Sequence, residues 1–177
     1  MESDDRLKEL SLYIAEKSKD DPSFGAIKLN KILFATDFYF YGFTGRAITE
    51  AKYVHRNNGP VPRRMPLIIE SLKTEGRAKL EDTTYFGYSQ KRLVPLMGAN
   101  TSMFNEGELS FVDQIISHFR SYNGTQLSKW THDLSPWLAT EDGEEIPYCS
   151  VFVLNPLPVE KAGISWAMKE LTALGKV

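Results

Sequence analysis

The chain has 177 residues, 42% hydrophobic and 25% charged, with a formal net charge of −2. That length and balance fit one globular domain with its own core, and exclude a disordered chain or a disulfide-stapled miniprotein, Cys149 being the sole cysteine. The slight acidity argues against a dedicated nucleic-acid coat. No apolar run approaches the roughly 20 residues of a membrane helix, and the acidic, polar segment 1–8 lacks the pattern of a secretory signal, so a cytoplasmic protein with no membrane partner is expected.

The pattern predicts helices around one short β-hairpin, a mainly α (α+β) fold. Ser3 caps a first helix over 3–18, with Asp4 and Asp5 in its first turn and Leu7, Leu10 and Ile14 on one face. Residues 20–25 form a turn. A second helix over 26–41 is apolar nearly all round, through Ile27, Leu29, Ile32, Leu33, Phe34, Phe38 and Phe40, and is therefore expected to be the buried central helix. Gly42 and Gly45 are expected to end it.

Residues 48–55 read as a short extended piece, and Asn57, Asn58, Gly59, Pro60 and Pro62 as a turn. A third helix starts near Met65, with Pro66 in its first turn, and stops before Gly76. Strands over 79–84 and 89–94 flank Gly87. Asn105 and Glu108 form a capping box for a fourth helix carrying Leu109, Val112, Ile116 and Phe119. A short helix follows over 125–131, and Ser135-Pro136 starts one more turn. The tail holds an acidic loop (Glu141, Asp142, Glu144, Glu145), an apolar run at 151–154, and a final amphipathic helix through Ile164, Met168, Leu171 and Leu174.

Nucleotide-binding glycine motifs, zinc-protease and hydrolase signatures are absent, and neither a cofactor nor catalysis is expected. His55, His118, His132 and Cys149 are scattered, so a metal site requires assembly in space; none is expected. His132 beside Asp133 reads either as a general base with its orienting carboxylate or as a tie for a helix end through its ring nitrogens; neighbours on a helix point about 100° apart, which favours the tie. Cys149 has no adjacent cation to activate it and reads as a small buried hydrophobe. Arg46, Lys52, His55, Arg56, Arg63 and Arg64 gather positive charge about the Gly59-Pro60 turn, either as a patch for an acidic or nucleic-acid partner or as solvated surface. Trp130 and Trp137 read as core residues or as interface anchors.

Three stretches together resemble the SocA-like antitoxin family, or Panacea domain. Lys28-Leu29-Asn30-Lys31-Ile32-Leu33-Phe34-Ala35 is similar to the family's K-L-x-K-L-L-Y-x-A helix, with phenylalanine for the usual tyrosine. Gly59-Pro60-Val61-Pro62 matches its G-P-V-P turn. Leu127-Ser128, Thr131-His132 and Pro136-Trp137 resemble its L-S-x-x-T-H-x-x-x-P-W signature. The likeness spans 7–138 and implies a domain over 1–140; residues 141–177 lie mostly outside it and read as a C-terminal extension whose final helix either packs on the same domain, the favoured reading, or meets a partner. It implies an antitoxin of a bacterial or phage toxin–antitoxin pair, binding a cognate toxin protein encoded by a neighbouring gene and, in adaptor members, a protease. Other readings are a phage-associated interaction protein and a nucleic-acid-binding regulator, the latter disfavoured by charge. The motif residues have scaffold roles available: a special backbone angle at Gly59, a carbonyl bond from Thr131, and Trp137 packed beside His132. The surface residues expected to meet a partner are Lys31, Arg56, Arg63 and Arg64.

Overall fold

The computed structural model describes residues 2–152. Val153 and Leu154 of the apolar run and the final amphipathic helix lie outside the described residues. Six α-helices occur within them: α1 (Glu2–Lys17), α2 (Ala26–Thr44), α3 (Met65–Thr74), α4 (Glu106–Phe119), α5 (Gly124–His132) and α6 (Ser135–Leu138). The strands are β1 (Tyr53–Val54), β2 (Val61–Pro62), β3 (Ala78–Tyr85), β4 (Tyr88–Pro95) and β5 (Glu145–Ile146). The fold is mainly helical with small β elements, and α2 is the element around which the others pack.

The all-round apolar pattern of α2 has the expected consequence. Ile32, Leu33, Phe34, Ala35 and Phe38 are all buried, and α1, α4, α5, β2 and β4 each touch the helix. Its end, Thr44, lies three residues beyond the expected 41. The helix runs through Gly42 and stops at Gly45, whose φ of 76° allows its N–H to reach the Tyr41 carbonyl at 2.8 Å. Gly42 lies within the helix, and Val151 packs over it with methyl carbons 3.7 and 3.8 Å from where a Cβ would be.

The two expected strands around Gly87 form the β3–β4 hairpin, with Lys79 opposite Val94 and Thr84 opposite Ser89. Its two-residue turn, Phe86-Gly87, has positive φ at both residues (49° and 81°), the backbone that matches the strand twist. Arg92 on β4 donates to the carbonyls of Ser18, Lys19 and Asp21, which follow α1, and so supplies partners where the helix has ended. A second sheet, in the order β2-β1-β5, was visible in the sequence only as one extended piece. Tyr53 pairs with Pro62 on one side and Ile146 on the other, so part of the acidic loop is a sheet edge. Each of these strands is two residues long, too short for alternation to show. Asn105 and Glu108 do form the capping box of α4, and Asn123 and Gln126 form another on α5.

The β1 side is locked to α2 by Asp37, a fully buried carboxylate. It accepts from the Thr49 N–H at 2.7 Å, from the Thr49 hydroxyl and from the Tyr53 hydroxyl at 2.8 Å. Burial disfavours its charged form more than these donors favour it, and the group is raised from 3.8 to about 6. The native state therefore keeps this proton to higher pH than the unfolded chain does. The stability tied to Asp37 is full in acid, falls as pH rises through the window between those two values, and stays at the lower level above it. A carbon-13 titration of the Asp37 carboxyl should find a midpoint near 6. A midpoint at the ordinary aspartate value would show that the hydrogen bonds outweigh burial.

Candidate functional site

The three sequence motifs meet at one turn. Gly59 has φ 92°, and a Cβ there would fall within 2.8 Å of Lys31 Cε and Nζ and closer still to the Thr131 hydroxyl. Only glycine lets α2, the turn and α5 come so close. Lys31 then donates to the Pro60 carbonyl at 3.0 Å. Ser128 donates to the Asn58 carbonyl at 2.9 Å, and Thr131 donates back to the Ser128 carbonyl at 2.8 Å. Val61 and Pro62 leave the turn as β2, and Pro136 is buried at the start of α6. Leu29 and Leu127 are core residues.

Trp137 closes the other side of the turn. Its ring lies between those of His55 and His132, each with centroids 4.2 Å away and nearly parallel, and its N–H donates to the Arg56 carbonyl at 3.4 Å. His55 Nδ1 is 3.1 Å from the Thr140 hydroxyl. His132 does not tie the end of α5 through Nε2, which is buried without a hydrogen-bond partner; its ring stacks on Trp137 instead. Asp133 caps that helix end with its side chain exposed. Trp130 packs against Tyr39 and Phe119 at the edge of the core.

Several site expectations need correction. Lys31 is not a surface residue: its side chain is 1% exposed, because the turn covers it. Lys28 is equally buried, but its ammonium is well supplied, with Asp21 at 2.6 Å and oxygens of Ser23, Arg120 and Tyr122 around it. Arg56, Arg63 and Arg64 are exposed but each faces an acid, respectively Asp142, Glu145 and Asp4. Lys52 likewise faces Glu145, and Arg46 faces Glu108. His55 is buried. The basic cluster is therefore partly balanced: the acidic loop, which β5 brings alongside, offers Asp142 to Arg56 and a single Glu145 to both Lys52 and Arg63. Cys149 is exposed rather than buried, because the short 3-10 helix Tyr148–Phe152 turns Ser150 and Val151 inward instead.

Two open cavities flank the first turns of α2. One, of about 380 Å³, lies beside the Gly59 turn and is lined by Asn30, Lys31, Arg56 and Asn58 among others. The other, of about 390 Å³, lies between α2, the start of α5 and the hairpin tip, and is lined by Ile27, Tyr85, Phe86 and Tyr88. Gln90 fixes the hairpin there by donating to the Pro22 carbonyl at 2.9 Å. Phe86 and Tyr88 are 84% and 80% exposed. Asn30, Phe86 and Tyr88 were not singled out by the sequence reading. A signal was present for one of them: a bulky aromatic precedes Gly87 where a hairpin of this length favours asparagine or aspartate.

The fold and its motif-built turn define a small helical domain whose signature residues hold one turn in place. The chain belongs to the family described as antitoxin SocA-like, Panacea domain, which matches residues 29–138. That membership supports an antitoxin-type role. A search of curated proteins and of solved structures finds no significant match. Among the described residues no helix is long and apolar enough to cross a membrane.

Two outcomes test the clamp. Gly59→Ala should lower stability by more than about 1 kcal/mol in urea unfolding, since alanine resists this φ and its methyl meets Lys31 and Thr131; a neutral result would mean that the turn relaxes freely. The second concerns Lys31, which burial lowers from 10.5 to about 7. Its destabilising effect is absent above the ordinary value, grows as pH falls through that window, and is complete below it. Lys31→Met should therefore gain on the wild type as pH falls from alkaline towards 7, whereas a constant difference would place Lys31 in a solvated state.

Proposed function

We propose that the chain neutralises a toxin protein by direct, non-catalytic binding in the cytoplasm. It covers the toxin's functional surface with the face formed by the β3–β4 tip and the first turn of α2. The observation that carries this reading is Phe86. It occupies a left-handed backbone position (φ 49°) that disfavours bulky side chains, yet its ring stands almost wholly in water. Neither the backbone nor the core benefits from phenylalanine there. Local strain together with an exposed aromatic beside an apolar groove is what a binding anchor requires. Tyr88 and Ile27 extend the apolar surface. Acids of the chain lie beside Lys52, Arg56, Arg63 and Arg64, with Glu145 shared by two of them, and this weakens the case for a nucleic-acid reading.

An interface of ordinary size buries roughly 1,200–2,000 Å² in total, which extends well beyond the hairpin tip. Inducing the neighbouring open reading frame should arrest growth, and co-expression of this chain should restore it with a co-purifying complex. Phe86→Asn separates binding from folding. It should raise stability by up to about 1 kcal/mol, because Asn-Gly suits this turn, and weaken neutralisation. Full rescue by the variant would move the contact away from the hairpin. A harmless neighbour and no complex would refute the toxin reading.

A further inference from the structure

Lys28 and Lys31 lie one turn apart on α2 and are equally buried, but their ammonium groups are served unequally. Four oxygens surround Lys28, one of them a carboxylate. Among the described residues, Lys31 has one oxygen partner, the Pro60 carbonyl, and no carboxylate. An ammonium carries three donors, so two have no acceptor among the described residues, where burial penalises the charge. Asn30 shows the same incompleteness: its Oδ1 is buried without a partner, and its amide makes no hydrogen bond to any described residue.

Both side chains line the 380 Å³ cavity. The other charged groups on its walls are Arg56 and Asp142, which face each other at 3.8 Å and are each more than half exposed. That separation is too long for a tight charge-assisted hydrogen bond. The cavity therefore has Arg56 and one loosely held acid on its walls, the Lys31 ammonium just beneath its surface with the residue 1% exposed, and an unbonded amide on Asn30 that can turn Nδ2 towards an incoming oxygen. Planar carboxylates suit a guanidinium fork beside an ammonium. Ala26 and Ile27 line this cavity and also the groove at the hairpin tip, so the two form one continuous surface across the start of α2.

We propose that the cavity beside the Gly59 turn is a carboxylate-binding subsite that takes an acidic side chain of the partner protein, next to an apolar residue seated against Phe86 and Tyr88. The incoming carboxylate displaces Asp142 from Arg56 and, as a nearby negative charge, favours the charged form of Lys31 beneath the cavity wall. The identity of the partner rests on the toxin-binding reading; the subsite itself does not.

The full chain, labelled with carbon-13 at the lysine Cε, tests the subsite directly, with Lys31→Met assigning the Lys31 signal. Sodium acetate is the probe, against sodium chloride and inorganic phosphate at matched ionic strength. Acetate should raise the titration midpoint of Lys31 by about one pH unit, equivalent to about a tenfold preference for the charged form. Arg56→Gln should weaken that response severalfold. No acetate-specific shift, or a larger response to phosphate, would overturn the assignment. In a second arm, Lys31→Met and Arg56→Gln are measured against the toxin. Each should lose about tenfold or more in affinity with an unchanged circular dichroism spectrum. Acetate binding without that loss would overturn the assignment to a partner side chain. Were the wild-type chain to neutralise nothing, the toxin reading would fall while the acetate response still decided the subsite.

Discussion

The turn at Gly59 can rest on α2 and α5 only because position 59 has no side chain, and this close approach sets the geometry of one whole flank of the domain. Lys31 and Thr131 fill the space that a Cβ would take. The Lys31 bond to the Pro60 carbonyl fixes the turn against the central helix, and the Ser128 bond to the Asn58 carbonyl fixes it against α5. The chain on either side of the turn becomes β1 and β2, to which β5 adds. Trp137 then ties α6 to the same backbone through the Arg56 carbonyl. Residues far apart in sequence are thus related through one backbone contact, which explains why a glycine, a lysine, a threonine and a tryptophan in separate stretches behave as one signature.

Three ionisable groups are buried along α2, and their partners differ in a way that bears on function. Lys28 is paired and fully surrounded by oxygens. Asp37 accepts from a backbone N–H and two hydroxyls, so even its charged form is well solvated by the protein. Lys31 has a single carbonyl. A scaffold role explains the first two completely. For Lys31, the aliphatic stem fills the space under Gly59, but a neutral side chain of similar length would fill it too and avoid the desolvation of the ammonium. Packing accounts for the shape of this residue and leaves its charge unexplained, unless something with opposite charge arrives.

Much of the helical framework was legible in the sequence, for identifiable reasons. α2 showed itself through an apolar pattern with no polar face, and α4 through Asn105 and Glu108 at capping-box spacing. The motif residues could be named, and the carbonyl bond of Thr131 and the positive φ of Gly59 were foreseeable from chemistry. What could not be read depended on partners distant in sequence. Lys31 looked exposed because a lysine in a helix usually is; its burial comes from a turn 29 residues away. Arg56 and Arg63 looked like a free basic patch until β5 brought Asp142 and Glu145 beside them. Cys149 followed the general preference of cysteine for the interior, and a five-residue 3-10 helix placed it outside.

Local rules and the final structure agree over most of this domain: asparagine caps begin α4 and α5, glycine ends α2, and proline sits in the first turn of α3 and of α6. The exceptions are few: Glu50 and Phe86 take left-handed positions, Lys31 has a buried ammonium with one acceptor, and Asn30 Oδ1, the Thr36 hydroxyl and His132 Nε2 are buried without a partner among the described residues. Phe86, Asn30 and Lys31 are the ones that border the two cavities sharing Ala26 and Ile27 at the start of α2. Departures from local preference that gather beside adjoining cavities point to something outside the fold. The motif residues, by contrast, are consumed in holding the turn. The same glycine-centred scaffold can thus present different side chains at the hairpin tip without altering the turn beneath, which separates what keeps the domain folded from what selects its partner.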